Sequence, residues 1–250
     1  MSACKGRRTF LLDLVAGAVA LAAVGPIRLM AATRKDATSA KNGPEYAFVV
    51  DVSKCIGCGY CVEACAAENK VPVGSVRTWV ERYVATDEGV HIEAIDKPGK
   101  QLSPPPEDVM KNAKWSAFIP KLCNHCEEAP CVQVCPVGAT FSAPGGFVLV
   151  DPDHCIGCGY CIQACPYGVR FLNEENRIAD KCTWCYHRVS RGLDPACVTV
   201  CPTAARTFGD RSDLNSHVGR IYATDTWWTL KPEMHTRSRV MYLGLPREVI

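Results

Sequence analysis

Two short apolar runs, one hundred positions apart, frame the chain. Residues 46–51 (Tyr-Ala-Phe-Val-Val-Asp) and 147–151 (Phe-Val-Leu-Val-Asp) read as strands, each leading directly into a cysteine-rich turn. Between them, residues 76–83 and 90–95 alternate apolar and polar positions, as half-buried strands do. Residues 97–110 contain three consecutive prolines at 104–106 and predict a loop. Near the start, residues 14–27 form a mild apolar stretch rich in Ala and Gly. At about 14 residues it is short of the ~20 needed to span a bilayer, and no other segment comes closer. Residues 203–250 hold Trp227, Trp228, Tyr242 and several arginines but no motif. They read as a C-terminal tail that wraps the body or as a docking surface. Short strands between loops predict an α+β fold.

The chemistry lies in the turns. Sixteen of the seventeen cysteines fall into four groups of four. The first is Cys55, Cys58, Cys61 and Cys65, and the third, Cys155, Cys158, Cys161 and Cys165, nearly repeats it. The second is Cys123, Cys126, Cys131 and Cys135. The fourth widens the middle gap: Cys182, Cys185, Cys197 and Cys201. A C-x2-C-x2-C-x3-C-P run is the ferredoxin signature for [4Fe–4S] ligation, in which the fourth cysteine serves the other cluster of a pair. Four such groups predict four [4Fe–4S] clusters.

Disulfides and structural zinc are the plainer readings of cysteine-rich sequence. A disulfide framework does not repeat one triplet four times. A tetrahedral zinc needs two C-x2-C pairs, and here each pair is followed by further cysteines that one ion could not use. Two-residue gaps let a tight loop wrap three thiolates round one face of a cube, and Gly57, Gly59, Gly157 and Gly159 suit that loop. Pro136, Pro166 and Pro202 follow three of the four last cysteines and fix the exit direction; Ala66 stands in that place in the first group.

Net charge is +2, with acids and bases mixed and no aromatic-studded basic stripe, which excludes a nucleic-acid partner. Arg7 and Arg8 precede the apolar stretch, and small residues follow at Ala31 and Ala32. This resembles a twin-arginine export signal over residues 1–32, a route for folded, cofactor-loaded proteins. Cleavage there would remove Cys4, the only cysteine outside the four groups. Residues 33–44 then read as a linker and residues 45–202 as the cluster region. The expected location is the periplasm, with no membrane span in the mature chain.

Residues 51–65 and 151–165 are identical at ten of fifteen positions, and the second and fourth groups share a Cys-Val-x-Val-Cys-Pro ending. Such self-similarity points to duplication of a two-cluster unit. The order of the four groups, the Cys-Thr-Trp-Cys-Tyr-His-Arg segment at 182–188 and the Leu-Lys-Pro-Glu at 230–233 resemble the four-cluster iron–sulfur subunits of molybdopterin oxidoreductases. That family includes the subunits of dimethyl sulfoxide, polysulfide, thiosulfate, tetrathionate and arsenate reductases. The resemblance covers roughly residues 46–242 and implies two ferredoxin-like modules. The outer module takes its ligands from residues 55–65 and 182–201, the inner from 123–135 and 155–165. It implies four ligand sets: Cys55, Cys58, Cys61 with Cys201; Cys182, Cys185, Cys197 with Cys65; Cys123, Cys126, Cys131 with Cys165; Cys155, Cys158, Cys161 with Cys135. It further implies two partners, a molybdopterin catalytic subunit and an integral-membrane quinone-reactive subunit. The chain itself would be an electron wire with no catalytic residue.

Lys54, His154 and Lys181 each precede the first cysteine of a group, and Lys121 stands two before Cys123. Taken singly each reads as solvated charge at a turn; together they suggest cations that raise cluster potentials. His125 reads as a surface or interface residue, since its group already has its cysteines. Ile56, Tyr60, Ile156 and Tyr160 read as shields against water. The rival assignments are a hydrogenase or nitrite-reductase electron-transfer subunit, an enzyme with an open cluster iron, and a cluster scaffold.

Overall fold

The first apolar run becomes the middle strand of a three-stranded sheet. A computed structural model describes residues 43–250 apart from residue 225; the predicted export signal (1–32) and most of the linker lie outside the described residues. Tyr46–Asp51 (β1) pairs antiparallel with Arg206–Asp210 (β9) and parallel with Val240–Leu243 (β10). Phe48 stands opposite Phe208 on one side and Val240 on the other. Both faces of β1 are covered, which is why its run is unbroken by polar residues. Ala47 and Val49 pack with Val218 and Met241, while Phe48 and Val50 face the main core with Val240 and Tyr242. Val218 comes from His217–Thr224 (α7), a helix lying against this sheet.

Residues 203–250 belong to the folded body. They supply the two strands that flank β1, and Tyr242, fully buried, donates its hydroxyl to the Pro120 carbonyl at 2.9 Å. The parallel β1–β10 pairing joins segments almost two hundred positions apart, so no local pattern announces it.

The alternating segments form a second sheet. Thr78–Ala85 (β2) lies between Val90–Ile95 (β3) and Trp115–Leu122 (β4), all antiparallel. The predicted loop after β3 ends in one helical turn, Glu107–Lys111 (α2), entered from Pro106. Its acidic first turn and basic last residue match the helix dipole, and Lys111 pairs with Glu107 at 2.8 Å.

The remaining elements are small and tied to the cysteine groups. Tyr60–Asn69 (α1) carries Cys61 and Cys65; Pro130–Gln133 (α3), Tyr160–Gln163 (α4) and Ala196–Thr199 (α6) carry Cys131, Cys161 and Cys197. Tyr186–Val189 (α5) follows Cys185. Thr140–Ala143 (β5) and Phe147–Val150 (β6) form one hairpin, Arg170–Leu172 (β7) and Ala179–Lys181 (β8) another. Helix α1 packs on α6, and α3 on α4. The outer groups thus meet each other, as do the inner ones. No helix among the described residues is long and apolar enough to cross a membrane.

Candidate metal centres

All sixteen cysteines are free thiols, and twelve of them gather around three cavities. Cys55, Cys58, Cys61 and Cys201 line one. Cys65, Cys182, Cys185 and Cys197 line the second, and Cys123, Cys126, Cys131 and Cys165 the third. In each, three cysteines of one group are joined by the last cysteine of another. Among the described residues no three Cys, His, Asp or Glu side chains converge tightly enough to share a single ion. The thiols stand round a volume rather than a point.

The remaining four are Cys135, Cys155, Cys158 and Cys161. Cys155 and Cys161 belong to a buried group with Cys126 and Cys131, placed by the packing of α3 on α4. Cys155 accepts the Ala179 N–H at 3.5 Å, and Cys158 is exposed. Cys135 accepts the Thr140 N–H at 3.4 Å at the start of β5.

Electrostatics shows what these thiols need. Burial pushes Cys55 and Cys182 up to about 11, and Cys126 and Cys197 up to about 12, with neighbouring thiols adding to the rise. Cys65 is driven well above its ordinary value by burial and by Cys182, Cys197 and Cys185. Such groups become thiolates only when a metal displaces their protons. Cys135 and Cys201 differ. Burial raises both, but backbone N–H groups (Thr140 and Val137; Arg206 and Thr203, with the Thr203 hydroxyl) more than offset it and lower them.

The cavities also hold buried polar atoms without partners. Arg206 lines the first cavity with its Nη1 unpaired, and Asn124 lines the third with both amide atoms unpaired. A buried donor costs about 1–3 kcal/mol when left unsatisfied. A group carrying acceptor atoms in these cavities, as the sulfides of a [4Fe–4S] cluster are, fits this donor set.

The charged residues expected beside the clusters divide into two kinds. Lys54 and His154 are solvent-exposed and pair with Asp51 and Asp151 at 3.1 and 2.8 Å. Lys121 is largely covered and binds Glu81 at 2.6 Å. Lys181 is not surface charge: it is 1% exposed and donates to the Val148 and Cys182 carbonyls. His125 is likewise a core residue. Its Nδ1 accepts the Val148 N–H at 2.9 Å, so the proton resides on Nε2, which donates to the Cys182 carbonyl at 3.0 Å. Burial first, then the Lys181 charge, holds it well below the ordinary histidine value.

Ile56, Tyr60, Ile156 and Tyr160 are 52–64% exposed in the chain. Ile56 and Tyr60 line the mouth of the first cavity, and all four form apolar rims beside the exposed Cys58 and Cys158.

Sequence reading passed over Arg170, Arg206 and Asn69. Arg170 donates from Nη2 to Cys131 Sγ at 3.1 Å. Asn69 donates from Nδ2 toward Cys65 Sγ at 3.5 Å and Cys185 Sγ at 3.7 Å. A signal was available for the arginines, because each lies five positions after the last cysteine of its group, Cys165 or Cys201.

Residues 54–139 and 114–211 each match the family described as 4Fe-4S dicluster domain. With thiols grouped round cavities, these matches define a ferredoxin-like iron–sulfur protein that binds [4Fe–4S] clusters. A tetrathionate reductase subunit from Salmonella typhimurium is 43% identical over 202 residues, covering 80% of this chain and 72% of the relative. A second tetrathionate reductase subunit, from Archaeoglobus fulgidus, is 50% identical over 173 residues, 69% of this chain and 70% of the relative. A thiosulfate reductase electron transfer subunit from Salmonella typhi is 40% identical over 179 residues, 70% and 82% of the two chains. The chain belongs to this family, the iron–sulfur electron-transfer subunits of molybdopterin oxidoreductases.

Proposed function

We propose that the chain holds four [4Fe–4S] clusters in a row and relays electrons between two partner subunits without catalysing a reaction itself. The first set of ligands is Cys55, Cys58, Cys61 and Cys201; the second Cys65, Cys182, Cys185 and Cys197. The third is Cys123, Cys126, Cys131 and Cys165; the fourth Cys135, Cys155, Cys158 and Cys161. When bound, such clusters supply one-electron storage and transfer.

The observation that carries this reading is the adjacency of the thiol sets. Cys61 of the first set, Cys182 and Cys197 of the second and Cys123 of the third belong to one buried group. Cys131 of the third and Cys161 of the fourth share one buried group. This adjacency supports a row running from the first set to the fourth, with Trp184, Phe48 and Val148 buried along its middle.

Each end of the row reaches the surface beside an apolar rim, Ile56 and Tyr60 at one, Ile156 and Tyr160 at the other. In this reading one rim docks a molybdopterin catalytic subunit and the other a membrane quinone-reactive subunit. Arg7 and Arg8 support export of the folded chain to the periplasm, with residues 1–32 as the signal.

The test is anaerobic purification of the complex from the periplasmic face of the membrane through a tag on this chain, followed by metal analysis. Molybdenum or tungsten with ~16 iron per chain is expected. Nickel would replace the reading with a hydrogenase, and haem iron without molybdenum with a nitrite-type system. Zinc with little iron would overturn it.

A further inference from the structure

Among the described residues four cations are buried; Arg82 pairs with Glu93, and the other three stand one beside each junction between neighbouring thiol sets. Arg206 is 2% exposed, lines the first cavity and donates from Nη2 to Thr78, which lines the second cavity. Lys181, next to Cys182 of the second set, has its ammonium on that residue's carbonyl at 2.9 Å and on the carbonyl of Val148, which lines the third cavity. Arg170 is 4% exposed, lines the third cavity, touches Cys131 Sγ at 3.1 Å and donates to Thr140, whose N–H binds Cys135 Sγ of the fourth set.

Each is held by neutral groups. Arg206 donates to Thr78 Oγ1 at 2.9 Å, Arg170 to Thr140 Oγ1 at 3.3 Å, and Lys181 to two carbonyls. Among the described residues no carboxylate takes these hydrogen bonds. An isolated buried cation is costly. Three of them, each without a carboxylate and each beside thiols of two sets, require an anionic group on either side.

We propose that Arg206, Lys181 and Arg170 are junction cations, each setting the reduction potentials of the two clusters it separates. A cluster gains one negative charge on reduction, which raises the cost of reducing its neighbour. A fixed positive charge between the two lowers that cost for both. The inference rests on the four ligand sets proposed above. It differs from a general basic surface in predicting pairs: first and second for Arg206, second and third for Lys181, third and fourth for Arg170.

The experiment is a redox titration of the purified complex followed by electron paramagnetic resonance, for wild type and for Arg206→Gln, Lys181→Gln and Arg170→Gln. Each variant is expected to lower two of the four potentials by about tenfold in the reduction equilibrium, ~59 mV for one electron. Two of the potentials should respond to two variants each. The charge-retaining exchanges Arg206→Lys, Arg170→Lys and Lys181→Arg should leave all four near wild type. If a Gln variant fails to assemble, its exchange carries the test, and a fall as large as that expected of Gln overturns the role of charge at that junction. Shifts confined to one potential, spread over all four, or absent would overturn the proposal. A wild-type complex with fewer than four one-electron steps would instead overturn the ligand assignment on which it stands.

Discussion

Trp184 lies face to face on His125, ring centroids 4.1 Å apart and planes 21° from parallel. Each occupies the second position of a Cys-x-x-Cys gap, His125 in the second group and Trp184 in the fourth. Each also binds the carbonyl of the other group's first cysteine. Trp184 Nε1 donates to Cys123 at 3.1 Å, and His125 Nε2 donates to Cys182 at 3.0 Å. This reciprocal strap joins the outer module to the inner one, where the second and third thiol sets approach each other.

Breaking the strap should weaken both modules together. Trp184→Ala removes a fully buried indole and is expected to cost about 3–5 kcal/mol. Trp184→Phe keeps an aromatic ring on His125 but loses the Cys123 hydrogen bond, a cost of about 1 kcal/mol. Thermal unfolding with iron counts measured in parallel checks this. The Ala variant should lose iron on heating well before the Phe variant.

Asn69 gives a local test where the junction cations give a paired one. Its amide donates to the Cys65 carbonyl at 3.0 Å and toward the Cys65 and Cys185 thiols, and Arg77 fixes its orientation by donating to Oδ1 at 3.1 Å. Hydrogen bonds to cluster sulfurs raise the potential. Asn69→Leu should therefore lower one potential, that of the cluster held by Cys65, Cys182, Cys185 and Cys197, and leave three in place. A redox titration that shows two potentials moving would contradict it.

The cysteine grouping was legible because ligand spacing is a local property, and the strands at 46–51 and 90–95 because alternation and apolar runs are local too. What stayed hidden was set by contacts between distant segments. Lys181 sits beside Cys182 in sequence and looked like one of four equivalent turn charges. Only the packing of β8 against Val148 takes it inside while Lys54 and His154 remain in water. His125 looked superfluous because its group needs no further ligand, and its role depends on Trp184, 59 positions away. Hydrophobicity alone could not show that Ile56 and Ile156 keep more than half their surface exposed while Ile56 also lines the first cavity.

Glu81 should make stability pH-dependent below the neutral range. Its carboxylate accepts from Lys121 at 2.6 Å, Trp79 Nε1 at 2.7 Å and the Tyr83 hydroxyl at 2.6 Å. Burial would raise its pKa, but these three donors outweigh burial and lower it. The folded value lies below the unfolded one, so the contribution is fully present above about pH 4.5 and is lost as pH falls through the folded value. Glu81→Gln should cost about 1.5–3 kcal/mol near neutrality. The gap between wild type and variant should close on acidification toward pH 3. Melting temperatures of both proteins across that range decide it, and a gap that widens would reverse the sign argued here.

Gly157 and Gly159 separate crowding from backbone strain within one turn of the third group. Both have left-handed φ, +67° and +78°. A Cβ at Gly159 meets nothing within 4 Å, so Gly159→Ala adds only the conformational cost, about 1–2 kcal/mol. A Cβ at Gly157 would collide with the backbone carbonyl of Arg177, which no side-chain rotation can relieve. That carbonyl belongs to the turn between β7 and β8, so the displacement would be passed to Ala179, whose N–H binds Cys155 Sγ. Gly157→Ala is therefore expected to lose about four of ~16 iron atoms, those of the set Cys135, Cys155, Cys158 and Cys161. Gly159→Ala should retain all of them with a lower melting temperature. Iron analysis after anaerobic purification distinguishes the two, and full iron in the Gly157 variant would mean that the β7–β8 turn yields without disturbing the thiols.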